Sequence, residues 1–276
     1  MGRVTVRRRV TRVRPSADRS ERVDTLAVEE PLEIRYGAEV LNVTMRTPGD
    51  DVDLVGGWLV AEGVVHTATD LTSASFCPGL DDGGHQTYNV VEVRLAEGIE
   101  PRRRSTELIT SACGVCGASS LAAVSVDSPY DLAADDVRIE QEVLASLPDR
   151  LRAAQRVFDR TGGLHAAGIF TPDGDLLCAR EDVGRHNAVD KVVGWALREG
   201  LLPLRGHVLQ VSGRASFELV QKATMAGVPV LSAVSAPSSL AVHLAEERSL
   251  TLAGFVRGGG FNLYSQPGRV PAPAPR

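Results

Sequence analysis

From Gln141 onward the chain alternates apolar runs of strand length with amphipathic stretches of helix length, and that alternation limits the fold more than any other feature. "QEVLASLPDRLRAAQRVFDRTGG" has helical spacing and stops at Gly162 and Gly163, the residues expected to cap it. "LHAAGIF" and "LLCARE" flank a turn containing Pro-Asp-Gly, which predicts a hairpin. Then follow helix "HNAVDKVVGWALREG", strand "GHVLQVSG", helix "SFELVQKATMAG", strand "VPVLSAVSA", helix "SSLAVHLAEERS" and strand "LTLAGFV". Strands separated by helices of this length predict an α/β domain with a parallel or mixed sheet.

The first half has a different texture. "TLAVEE", "LEIRY" and "EVLNVTMRT" each read as a half-buried strand, "DDVDLVGGWLVAEGVV" as a short helix, and "TYNVVEVRLAEG" as another strand. The opening twenty residues are rich in arginine but lack an apolar core run, so they are not a secretory signal. The last residues, "QPGRVPAPAPR", are Pro-rich and read as disordered. With 276 residues, 43% of them hydrophobic, one or two domains can bury a large core. A net charge of −5 argues against a general nucleic-acid binder, and no apolar run is long enough for a membrane span. A cytoplasmic protein is expected, in which paired cysteines serve metal or redox chemistry more readily than a structural disulfide.

Between the halves lies "SACGVCG", with Cys113 and Cys116 two residues apart among small residues. A metal pair, a redox dithiol and a sulfur carrier all remain open from this motif alone. A structural zinc needs four ligands. Here Cys77 and Cys178 stand apart, and no two histidines are spaced as a ligand pair, so no structural metal is expected. A thioredoxin-like site wants the pair at a helix start after a buried strand, and "ELITS" is a thin strand. Zinc deaminases use H-x-E followed by P-C-x-x-C. In this chain His165 is followed by Ala167 at the glutamate position and the cysteines come first, which removes the chemistry but not a shared architecture.

Two glycine-bearing turns open helices in the second half. "EDVGRHNAVDK" sets Gly184, Arg185, His186 and Asn187 at one start, and "VSGRASFELVQK" sets Ser212, Gly213, Arg214 and Ser216 at another. Unpaired N–H groups at a helix start attract anions, and a guanidinium matches phosphate oxygens. Either turn alone reads as an ordinary cap. Two in one domain suit a ligand with a pyrophosphate or several phosphates. Asp190, four residues after His186, reads as an orienting partner for it, and Cys178 as core filling.

"TSACGVCG", "GGLHAAG", "AREDVGRHNAVDKVVG", "SGRASFELVQKA" and "GFVRGGGFNLYS", in this order, resemble the formate dehydrogenase accessory sulfurtransferases, the FdhD family. The resemblance covers roughly residues 22 to 265. It implies a cytidine-deaminase-like αβα main domain with a mixed sheet, without the zinc site, plus a smaller β-rich N-terminal domain. It implies a sulfurtransferase that carries a persulfide on Cys113, with Cys116 as the second cysteine of the loop. Sulfur would come from a cysteine desulfurase and pass to the bis-molybdopterin guanine dinucleotide cofactor of formate dehydrogenase. It further implies a homodimer that binds GDP as a surrogate for the cofactor. The run Phe255, Val256, Arg257, Gly258, Gly259 and Gly260 aligns with the segment used against that cofactor, with Arg185, His186, Ser212, Gly213 and Arg214 as further candidates. Residues 1–21 are expected as a basic, poorly ordered arm, 22–105 as the β-rich domain and 106–120 as a mobile loop. Residues 121–265 would be the α/β domain and 266–276 a disordered tail. A cofactor chaperone that transfers nothing, or a dithiol oxidoreductase, are the competing readings. Read without the family, "RGGGFN" is a loose hairpin turn.

Overall fold

The computed structural model describes residues 3–15, 19–79, 86–101 and 126–272. The alternation beginning at Gln141 becomes a six-stranded mixed sheet. Its strands are β7 (His165–Phe170), β8 (Leu176–Asp182), β9 (Val208–Val211), β10 (Val230–Ala233), β11 (Thr251–Arg257) and β12 (Gly260–Ser265), in the spatial order β12-β11-β10-β9-β7-β8. Strands β9, β10 and β11 run parallel, and β7, β8 and β12 pair antiparallel to their neighbours. The parallel crossovers are helices α5 (Phe217–Met225) and α6 (Ser239–Glu247), while α4 (Arg185–Arg198) leads from β8 into β9.

Side chains alternate across this sheet as the strand period requires. Ala167, Ile169, Leu209, Val211, Leu231 and Leu252 join one core with α4, α5 and α6. Ala166, Phe170, Val208, Val230, Ala253 and Val256 face the opposite way, onto Leu144, Leu147 and Leu151 of α2 (Gln141–Ala154). The long helix expected over 141–163 breaks at Gln155, whose backbone leaves the helical region, and resumes as α3 (Arg156–Thr161). Gly162, at φ +66°, ends α3 in the left-handed conformation that glycine tolerates best.

Four strands of the first half form a second sheet: β3 (Glu30–Tyr36), β4 (Glu39–Arg46), β5 (Leu71–Phe76) and β6 (Val90–Leu95), ordered β4-β3-β6-β5. Helix α1 (Asp51–Ala61) crosses α4 at very short range. A Cβ at Gly194 would lie 1.7 Å from the Asp53 carbonyl oxygen, and one at Gly57 1.9 Å from that of Asp190. Only glycine fits at this crossing. Leu32, Ile34, Val91 and Val93 of the small sheet share one apolar core with α1, α4 and the large sheet, so the two halves pack as a continuous interior.

Both ends of the chain differ from expectation. Within the expected arm, β1 (Thr5–Arg12) pairs antiparallel with β2 (Ser20–Ala27) over eight registered positions, setting Val6 beside Leu26 and Arg8 beside Asp24. Valine and threonine at both ends of the arginine run suit a ribbon strand, which composition alone hid. In the expected tail, Arg269 is buried and its guanidinium donates to the carbonyls of Leu132, Asp135 and Ser249. Three carbonyl acceptors and the buried Val270 anchor the segment to residue 272. Residues 273–276 lie outside the described part. No helix among the described residues is long and apolar enough to cross a membrane.

Candidate functional site

The parallel strands end together: Ser212 follows β9, Val234 follows β10, and Arg257–Gly258 closes β11, while the antiparallel β7 starts at the same edge with His165. The second half of α2, the break at Gln155 and α3 face that edge. Between them lies a cavity of about 530 Å³ lined by His165, Ser212, Arg257 and Gly258 on the sheet side and by Arg152 and Phe158 on the helix side. Open α/β sheets bind ligands at this carboxyl edge, where loops diverge and leave a crevice.

On the sheet side, neighbouring backbone bonds Ser212 and packs against His165. Ser212 Oγ accepts the Ala166 N–H at 2.9 Å, which leaves the hydroxyl proton to donate elsewhere. Gly213 brings its backbone against the imidazole: a Cβ there would lie 3.3 Å from His165 Nδ1 and 3.9 Å from Arg185 Cδ. Burial lowers the His165 pKa from its ordinary value, and the charges of Arg185, His186 and Arg214 push it the same way. His165 is therefore neutral at neutral pH, able to donate from one nitrogen and accept at the other. Arg185 Nε is buried with no hydrogen-bond acceptor among the described residues. A buried guanidinium N–H without an acceptor favours an incoming anion.

The two helix starts do converge, through His186. Its Nε2 lies 3.3 Å from Ser216 Oγ and 3.7 Å from Glu218 Oε2. That imidazole holds the Glu218 carboxyl down at about 2, against its partial burial. Asp190 plays a different part from the one expected. Its carboxylate takes Lys222 Nζ at 2.6 Å, and burial pushes its pKa up. Cys178 is core filling: burial raises its thiol to about 12, so it holds no thiolate at neutral pH.

Of the 255–260 run, Arg257 and Gly258 line the cavity. Val256 is fully buried in the core facing α2. Phe255 adopts φ +53°, rare for a residue with a side chain, and its ring lies 5.4 Å from the Arg257 guanidinium carbon. Gly258 and Gly259, at φ +59° and +79°, form the two-residue turn joining β11 to β12, which requires positive φ at both positions. The glycines thus serve the hairpin, and they sit in open space, since a Cβ at 258, 259 or 260 would meet nothing within 4 Å. Arg214 is exposed. Cys113 and Cys116 lie outside the described residues. Among the described residues, no three His, Cys, Asp or Glu side chains gather as a metal set.

The helix-side wall has no counterpart among the sequence candidates. Arg152 stacks its guanidinium 4.6 Å from the Phe158 ring centre and pairs with Asp159 at 2.6 Å. His165 is signalled only by "GGLHAAG", a histidine opening a strand after two glycines.

Comparison with known proteins fits this geometry. A sequence model of the FdhD/NarQ family matches residues 27–271. A protein from Nocardia farcinica named "Sulfur carrier protein FdhD" is 58% identical over 96% of this chain and 94% of its own length. One of the same name from Sulfolobus acidocaldarius is 43% identical, over 91% and 93%. A crystal structure from Desulfotalea psychrophila, of a protein assigned as a formate dehydrogenase accessory protein, superposes with a TM-score of 0.75. It shares 23% identity and covers 98% of this chain and 100% of its own, and it supports the fold. A match over nearly the whole length places the chain: it belongs to the FdhD/NarQ family.

Proposed function

We propose that the protein is a sulfur carrier in formate dehydrogenase maturation, which takes sulfur on Cys113 and passes it to a molybdenum cofactor held in the cavity. The observation that carries the reading is the meeting of Ser212, His165 and Arg257 around one cavity, with Arg185, whose Nε has no acceptor among the described residues, close behind Gly213. These groups are suited to phosphate oxygens, and the helix-side wall with Arg152 and Phe158 leaves room for a larger body. The relatives' name supplies sulfur carriage, and the CxxC pair supplies thiols.

The transfer chemistry is simple at its first step. The Cys113 thiolate attacks the outer sulfur of a persulfide on a cysteine desulfurase. A sulfur–sulfur bond forms on Cys113 as the donor's breaks, and the desulfurase cysteine leaves as its thiolate. The acceptor, bis-molybdopterin guanine dinucleotide, is a substrate here, and GDP stands in for its guanylate end. In this reading the protein acts in the cytoplasm as a homodimer, and Cys116 is the second thiol of the loop. A chaperone without transfer would need the cavity but no thiol. Formate dehydrogenase activity in cells complemented with Cys113→Ala separates the two. Carriage by Cys113 predicts its loss with folding and GDP binding intact; full activity in that variant would leave a chaperone.

A further inference from the structure

The ribbon of β1 and β2 stands outside both larger sheets, and residues 5–26 also precede the segment matched by the family. A two-stranded ribbon has little stability alone. This one is held by α3, where Arg160 donates to Thr5 Oγ1 at 3.2 Å. Helix α3 is also a wall of the cavity, through Phe158. Between Arg3 and Asp24 the chain carries eight arginines against Asp18, Glu21 and Asp24, so this +5 segment within a total of −5 leaves the remaining residues at −10. Arg7, Arg8, Arg9 and Arg12 are exposed on β1, and among the described residues the ribbon's one ion pair is Arg22–Asp24. Val23 and Leu26 are exposed among them.

We propose that this ribbon docks an acidic surface of the apoprotein that receives the cargo, apo-formate dehydrogenase, and holds it beside the cavity. The proposal rests on the carrier reading above for the identity of the receiver. Its charge argument is independent: four exposed strand arginines, in no ion pair among the described residues of an otherwise acidic protein, attract an acidic surface and hold it by interactions that salt weakens. An extended nucleic acid fits less well, because the body beyond the ribbon carries the repelling charge. The receiver is favoured over the sulfur donor by position, since it must empty the cavity whose wall supports the ribbon, whereas the donor needs only Cys113.

The test uses the full chain immobilised at 50 and 500 mM NaCl, with purified apo-formate dehydrogenase as the probe. Three forms are compared: wild type, the Arg7→Gln/Arg8→Gln/Arg9→Gln/Arg12→Gln variant, and the same four positions changed to lysine. The proposal expects the glutamine variant to bind about tenfold more weakly at low salt, and the lysine variant to stay within about threefold of wild type. At high salt the forms should converge. GDP binding and sulfur loading on Cys113 should be unchanged in all three, so a failure of the carrier reading would register separately. Equal apoprotein affinity for the glutamine variant would overturn the proposal. So would tighter binding of a short DNA duplex than of the apoprotein, lost with the same four arginines.

Discussion

Around the crossing of α1 and α4, glycines and charges close the structure; along the carboxyl edge of β9, β10 and β11, the same residue types hold it open. At the crossing, Gly57 and Gly194 let two backbones touch, and the buried ions are matched: Lys191 Nζ to Asp182 Oδ2 at 2.8 Å, Arg46 Nε to Asp51 Oδ1 at 2.9 Å. Lys191 also donates to the Thr47 carbonyl at 2.8 Å, tying α4 to the segment after β4. At the edge, Gly213 and Gly258 expose backbone, Arg185 Nε lacks an acceptor among the described residues, and His165 is held neutral. The difference separates structural from ligand-directed polarity. Buried charges matched within the protein favour one packing, and an unsatisfied guanidinium N–H close to a cavity favours an anionic ligand there.

The sharpest way to break this contrast is at the crossing. Gly194→Leu drives a side chain into the Asp53 carbonyl, and we expect a loss of about 5 kcal/mol or more, read as aggregation or a collapsed melting transition. A variant that melts like wild type would show that α1 can move away freely. Next comes Lys191→Met, which strands Asp182 in a fully buried position and should cost about 3–5 kcal/mol in denaturant unfolding. A cost below about 1 kcal/mol would mean the pair contributes no more than a surface bridge.

At the edge the same kind of change should leave stability nearly untouched and alter binding. Arg257→Ala should weaken GDP by about 1.5–3 kcal/mol in a calorimetric titration, and guanosine far less, as a charge-assisted contact to phosphate requires. Equal losses for both ligands would remove Arg257 from the phosphate end.

The smallest effect is a pH dependence. The folded-state pKa of His165 is depressed, so the unfolded chain binds the extra proton first as pH falls below about 6.5. Stability from this group is therefore present above that pH and declines below it, down to the folded-state value. Glu218 acts in a lower window: its contribution is complete above its ordinary 4.5 and is lost as pH falls toward about 2. His165→Gln should flatten the stability profile just below pH 6.5 while leaving the acid limb intact. An unchanged slope in the upper window would contradict the assignment.

The contrast also separates what the residues announced from what only folding assembled. Helices α4, α5 and α6 and strands β7 to β11 follow local periodicity, so they were legible. Strands β5 and β12 were not: "LTSASF" lacks clean alternation, and "GFNLYS" follows a glycine run that reads as a turn. The break at Gln155 falls within an uninterrupted amphipathic pattern, because tertiary packing decides it. At the site, Arg185, Ser212 and Arg257 carried local signals of helix start or glycine turn. Arg152, Phe158 and the role of His165 carried almost none, since a cavity built from segments a hundred residues apart has no one-dimensional signature.

Sulfur carried on Cys113 can be read by intact-protein mass spectrometry. After incubation with a cysteine desulfurase and cysteine, wild type should gain about 32 Da, removed by a reductant and mapped to the Cys113 peptide. Cys113→Ala should gain nothing there, while Arg257→Ala should load normally, because binding and loading are separate. No adduct on wild type, or an unchanged adduct in Cys113→Ala, would contradict the claim.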